Sequence, residues 1–175
     1  KIHWKEAGIS EYFTILDSQD QLRIIKRVMK SKNLDDNLYD PKALQSFINS
    51  QKDKGKRHKD VNNDDDKYIE IYKEYDDACR QTNSVDFADL ILLTYEMLKR
   101  SPQILSYYNK RFQNIMVDEF QDTNTLQFNL LKLLNGDAGS LYAVGDDDQS
   151  IYGWRGARSR NIQFFKDEFK NVEIF

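Results

Sequence analysis

Two short apolar runs, Asn114-Ile115-Met116-Val117 and Leu141-Tyr142-Ala143-Val144, each stop on acidic residues, with a helical segment between them. The first runs into Asp118-Glu119, the second into Gly145-Asp146-Asp147-Asp148-Gln149. Apolar runs this short suit strands covered on both faces. The segment between them, Leu126 to Leu134, has helical spacing and is closed by Asn135-Gly136. A further helix near Asn161 to Phe169 leads to Val172-Glu173-Ile174-Phe175, a third candidate strand. Strands alternating with helices predict an α/β fold, a parallel sheet with helices on both faces.

Location gives the carboxylates a chemistry. Open parallel sheets bind ligands beyond the carboxyl ends of their strands. An Asp at such an end can hold Mg²⁺ against nucleotide phosphates. An adjacent Glu can orient and deprotonate an attacking water. A Gln at the neighbouring strand end can touch a γ-phosphate. One acidic strand end is a weak signal, and a second about 30 residues on strengthens it. Asp146, Asp147 and Asp148 equally suit capping of the following turn, so none is taken as a ligand.

The first half of the chain reads as helices with polar connections. Ser18 and Gln21 fit a capping box ahead of Leu22, Ile25, Val28 and Met29. Asp40-Pro41 supplies a cap and a first-turn proline before Leu44, Phe47 and Ile48. Tyr68, Ile71, Tyr72, Tyr75, Ala78 and Cys79 share helical spacing, which favours core packing over base stacking. Asp86 caps a helix through Leu98, and Ser101-Pro102 opens a short one through Tyr107. Between Ile48 and Tyr68 the chain is polar, which predicts a mobile loop. Its basic stretch, Lys52 to Lys59, is either a solvated loop or a phosphate-contacting edge.

Composition excludes several classes. The 175 residues carry 26 basic and 29 acidic side chains, net −3, so bulk charge does not advertise nucleic-acid binding. Local charge along a groove would still suffice. No apolar run approaches the ~18 residues of a membrane span, and no secretory signal opens the chain. The single cysteine, Cys79, precludes an intrachain disulfide, which fits a cytosolic protein. His3 and His58 are too isolated in sequence to suggest a metal site. The missing initiator Met leads us to expect an internal piece of a longer chain.

Val117-Asp118-Glu119-Phe120-Gln121-Asp122-Thr123-Asn124 resembles the Walker B motif of superfamily 1 DNA helicases of the UvrD/Rep/PcrA type. The segment from Val144-Gly145-Asp146-Asp147-Asp148-Gln149 to Tyr152-Gly153-Trp154-Arg155-Gly156-Ala157 resembles their motif III. Similarity extends to Phe13–Asp17, Ile48–Asp53 and Val85–Leu90, and so covers nearly the whole chain.

The resemblance implies a partial P-loop (RecA-like) ATPase domain over residues 85–175. It also implies an all-α insert subdomain over residues 1–84. It makes Asp118 the Mg²⁺ carboxylate, Glu119 the catalytic base and Gln149 the contact to the γ-phosphate of ATP. It places Tyr152, Trp154 and Arg155 on the path of single-stranded DNA, with Arg155 also able to face the nucleotide. Core packing is the competing role for Tyr152 and Trp154. The implied activity is 3′ to 5′ translocation on single-stranded DNA and unwinding of duplex, driven by ATP and Mg²⁺, in bacterial cytoplasm at the nucleoid. The phosphate loop G-x-x-x-x-G-K-[ST] does not occur in these 175 residues. The isolated chain is therefore expected to lack ATPase activity, which leaves a non-catalytic DNA- or partner-binding module as the second reading. Self-association would cover the sheet edge that a partial domain exposes.

Overall fold

A computed structural model describes residues 2–35, 38–62, 66–137 and 139–146, together with 165, 168, 169 and 173. The chain divides into two compact units, Lys1–Arg100 and Ser101–Phe175.

In the first unit, α1 (Trp4–Ala7) is followed by β1 (Thr14–Leu16), α2 (Ser18–Ser31), α3 (Pro41–Asp53), α4 (Asp66–Gln81), β2 (Ser84–Asp86) and α5 (Phe87–Arg100). Ile25 and Met29 on α2, Leu44 and Ile48 on α3, and Ile71, Tyr75 and Cys79 on α4 recur at four-residue spacing. Each set lies on one face, and the three faces meet in a single buried core with Leu16, Val28, Val61 and Tyr72. Each fully buried aliphatic side chain contributes about 1.5–3 kcal/mol to that core. Tyr72 and Tyr75 of α4 are thus core residues, fully buried and unable to stack on a base, and Tyr68 packs half-buried at the edge of that core.

Capping confirms one expected helix start and moves another. Asp40 accepts the Lys42 and Ala43 N–H groups ahead of Pro41, as the sequence indicates. The cap of α2 is Asp17, whose carboxylate accepts the Gln19 and Asp20 N–H groups at 2.8 Å. Ser18 is already the first helical residue. Gln21 is no capping-box partner: it is buried and bonds Asn49 and Gln45 across the α2–α3 packing.

Two further expectations fail here. The first 84 residues are not all-α, because β1 and β2 pair in parallel with Ile15 opposite Val85. Three-residue strands have no readable period, and this pairing joins segments separated by three helices. Nor is the polar stretch after Ile48 a loop throughout. Helix α3 continues to Asp53, a 3-10 turn forms at His58–Asp60, and Val61 is buried.

The second unit contains α6 (Pro102–Arg111), β3 (Asn114–Val117), α7 (Thr125–Asn135) and β4 (Ser140–Ala143). β3 and β4 are parallel neighbours in the register Val117 to Ala143, as the alternating pattern predicts. Helix α7 starts at a capping box formed by Asn124 and Gln127 and ends at Gly136, whose φ is +59°. Phe120, Leu126 and Phe128 are buried, and Phe165 and Phe169 pack on Phe120 and Phe128 at 5.3 and 5.9 Å between ring centres. Met116 and its register partner Tyr142 are 81% and 56% exposed, so one face of this strand pair is open. The expected third strand, Val172 to Phe175, and most of the helix near Asn161 to Phe169 lie outside the described residues. Among the described residues no helix is long and apolar enough to cross a membrane.

Candidate functional site

The two strand ends are tied together just beyond their carboxyl termini. Val144 donates its N–H to the Val117 carbonyl at 2.8 Å, and Phe120 donates to the Val144 carbonyl at 2.9 Å. Pairing therefore continues past both strands. Between these bonds the chain reverses at Glu119, which sits in the left-handed region with φ 50° and ψ 44°. A non-glycine residue held there costs about 1 kcal/mol or more, and such strain persists only where the surroundings fix it. Three neighbours fix it. Asp118 accepts the Glu119 N–H at 2.9 Å, a 3-10 turn begins at Phe120, and the Phe120 ring is buried.

The same reversal puts the Asp118 and Glu119 side chains in solvent, side by side, at the end of β3. Asp146 stands at the end of β4. Its backbone N–H donates to the Gln121 side-chain oxygen at 3.0 Å, while the Gln121 amide nitrogen donates to Glu119 Oε2 at 2.6 Å. Gly145 makes this approach feasible. A Cβ there would lie 2.6 Å from Gln121 Oε1 and 3.1 Å from the Phe120 nitrogen, too close for any other residue without displacement.

Among the described residues no cation pairs with Asp118 or Glu119, and no group of three or more His, Cys, Asp or Glu could hold a metal ion alone. That donor set fits a hard divalent ion that takes one carboxylate from the protein and its remaining ligands from phosphate and water. Gln149, Tyr152, Trp154 and Arg155 lie outside the described residues, as do Asp147 and Asp148. Gln121 and Gly145 were missed as site residues in the sequence reading. The available signal was the position of an amide two residues after the Glu, inside a turn too tight for its side chain to leave.

The basic stretch resolves differently from either sequence reading. Lys52 is 0% exposed, and its ammonium meets Asp86 and Asp89 at 2.7 Å each and Asp76 at 3.5 Å. Burial pulls the Lys52 pKa down, but Asp89, Asp86 and Asp76 together outweigh it and hold the ammonium well above its ordinary value. Arg57 also turns inward, with a two-pronged contact to Glu96 at 2.8 and 2.9 Å and another to Asp89 at 2.9 Å. The Tyr75 hydroxyl donates to Asp86 at 2.8 Å. Asp86 also accepts the Asp89 N–H at 2.8 Å, which caps α5 as expected. Only Lys54, Lys56 and Lys59 of the stretch face solvent.

The sequence pattern of the UvrD/REP helicase N-terminal domain matches residues 1–170. The chain is 47% identical to DNA helicase II of Haemophilus influenzae over 178 aligned residues, which cover 99% of this chain and 24% of that protein. It is 45% identical to DNA helicase II of Escherichia coli over 177 residues, 99% of this chain and 25% of that protein. It is 38% identical to the ATP-dependent DNA helicase PcrA of Bacillus subtilis over 172 residues, 95% of this chain and 23% of that protein. The chain thus spans about a quarter of the length of the curated relatives it matches.

Proposed function

The chain belongs to the UvrD/REP helicase family, and from that premise we propose that it carries the Walker B and coupling side of an ATP-dependent DNA helicase. The observation that carries this reading is the solvent-facing Asp118–Glu119 pair at the end of β3, tied through Gln121 to the end of the parallel neighbour β4. ATP would supply the phosphoanhydride bond whose hydrolysis drives movement, and Asp118 would hold the Mg²⁺ that offsets the phosphate charge. Glu119, one residue on and unneutralised by any cation among the described residues, accepts the proton of the attacking water. Gln149, four residues after Gly145, senses the γ-phosphate. Tyr152, Trp154 and Arg155 follow it and contact single-stranded DNA, with the Trp154 indole as a platform that accepts any base. Translocation is 3′ to 5′.

By resemblance, residues 1–84 are assigned to the inserted subdomain and residues 85–175 to a part of the ATPase domain, a division that cuts through β2 and the compact unit Lys1–Arg100. The phosphate loop that would cradle ATP is not among these 175 residues, so the chain by itself is inactive in hydrolysis.

Glu119→Gln in the full-length protein tests the central assignment. It is expected to lower ATP turnover by about 10²–10⁴-fold, the range for loss of a general base, while equilibrium ATP binding stays within a small factor of wild type. Wild-type turnover in that variant would remove Glu119 as the base.

A further inference from the structure

We propose that Gln121 is a positioning residue for hydrolysis: its side-chain amide aims the Glu119 carboxylate and makes that aim depend on where the β4 loop stands. This rests on Glu119 being the base.

Three features of the geometry carry it. Gln121 is 2% exposed, so its side chain has no freedom to swing into solvent. Its two polar ends are committed to different chain segments, the nitrogen to Glu119 and the oxygen to the Asp146 N–H, 25 residues away in sequence. Gly145 closes on the amide so tightly that a Cβ would sit 2.6 Å from Oε1. The amide is planar, with nitrogen and oxygen at a fixed separation. Displacing the Asp146 backbone therefore either breaks its own bond to Gln121 or pulls on the amide that holds Glu119.

The residue type follows from the two bonds. One end must donate to a carboxylate and the other must accept from a backbone N–H. A side-chain amide does both from two separate atoms, and Asn is one methylene shorter. A Glu at this position would accept at both ends and set a second negative charge against Glu119. The backbone cannot supply the aim by itself, because the left-handed Glu119 places its Cβ but leaves the outer torsions free. Asp146 leads directly into Asp147-Asp148-Gln149, the segment assigned above to γ-phosphate sensing. Gln121 thus links the Asp146 backbone to the base: a shift of Asp146 that pulls the amide disturbs the aim of Glu119.

Two variants test this in the full-length protein. Gln121→Met removes the bonds to Glu119 and to Asp146 at similar volume. Gln121→Glu is isosteric, keeps the acceptor for Asp146 and loses the donor to Glu119. Both should lower kcat at least about tenfold, since misplacing a catalytic group by an ångström costs up to about a hundredfold. KM for ATP and single-stranded DNA affinity should stay within about twofold of wild type under the same positioning argument.

The second readout needs no nucleotide. Amide hydrogen exchange at Asp146 should speed up in Gln121→Met and stay near wild type in Gln121→Glu. If Gln121→Met fails to fold, the isosteric Glu variant carries the kcat test.

Wild-type kcat in the Glu variant overturns the proposal while leaving Glu119 as base. A parallel loss of KM, DNA affinity and folding stability in a variant also overturns it, in favour of a general structural role. Normal turnover in Glu119→Gln instead removes the reading on which the proposal rests, whatever Gln121 does.

Discussion

Two acidic pairs in this molecule follow the same local plan and have opposite fates. Asp86 ends β2, and Asp89 follows in the first turn of α5. Asp118 and Glu119 follow β3 ahead of a helical turn. Both pairs sit where a parallel strand gives way to helix. The first is buried and met by Lys52 and Arg57 from α3 and the segment after it. The second faces solvent with no cation partner among the described residues. A carboxylate neutralised inside the protein is committed to the fold. One presented at a strand end without a counter-charge is available to a metal ion or a proton. The difference lies in the partners and not in the local sequence.

The sharpest way to break this comparison is to remove the buried cation. Lys52→Met leaves Asp76, Asp86 and Asp89 inside with Arg57 and, 3.5 Å from Asp76, His58 to offset them. Stripping one partner from a buried ion cluster costs about 3–5 kcal/mol. Urea unfolding should show that loss, whereas Asp118→Asn should leave the midpoint where it was. A benign Lys52→Met would mean that the cluster is solvated and that the two acidic pairs are alike.

A finer test separates carboxylates within the cluster. Burial pushes the Asp89 pKa up, but Lys52 and Arg57 overcome that and hold it below the ordinary carboxylate value. For Asp76 burial wins over Lys52 and Arg57, and its pKa is raised. A depressed carboxylate stabilises the fold above its unfolded pKa of about 3.9, and that stability is lost as pH falls through the lower folded value. A raised one works in reverse, so it opposes folding once pH climbs past its unfolded value. Asp89→Asn should therefore cost about 1.5–3 kcal/mol at neutral pH, the range for hydrogen bonds to charged groups, and Asp76→Asn clearly less. Equal losses would show that the cluster acts as one undifferentiated charge.

The legibility of these features follows the range of the forces behind them. Helices α2, α3, α4 and α7 were readable because four-residue apolar spacing and end signals such as Asp40-Pro41 and Asn135-Gly136 are local. β3 and β4 were readable because two apolar runs flanked a helix of the right length. The β1–β2 pair was not, since each strand has three residues and the pairing spans three helices. The inward turn of Lys52 and Arg57 was hidden for a related reason. Their partners Asp76, Asp86, Asp89 and Glu96 lie at least 19 positions further along the chain, and a basic run looks the same whichever way its side chains point. At the site, Asp118 and Glu119 were legible as a strand-end pair. The Gln121 bridge was not, because its second anchor is a backbone N–H in another strand's loop.

The smallest expected effect probes how the second unit holds its exposed pair in place. Asn124 accepts the Gln127 N–H, and the Gln127 side chain accepts the Asn124 N–H, both at 2.9 Å. This box starts α7 immediately after the turn that carries Glu119 and Gln121. Asn124→Ala removes the cap and should cost about 1 kcal/mol in unfolding, as cap substitutions do. Catalytically the prediction is narrower. If the Glu119 reversal is fixed mainly by Phe120, by Gln121 and by the bond to Val144, fraying of the first turn of α7 leaves kcat near wild type. A drop in kcat as large as that of the Gln121 variants would instead make the helix start, and not the amide bridge, the element that holds the carboxylate.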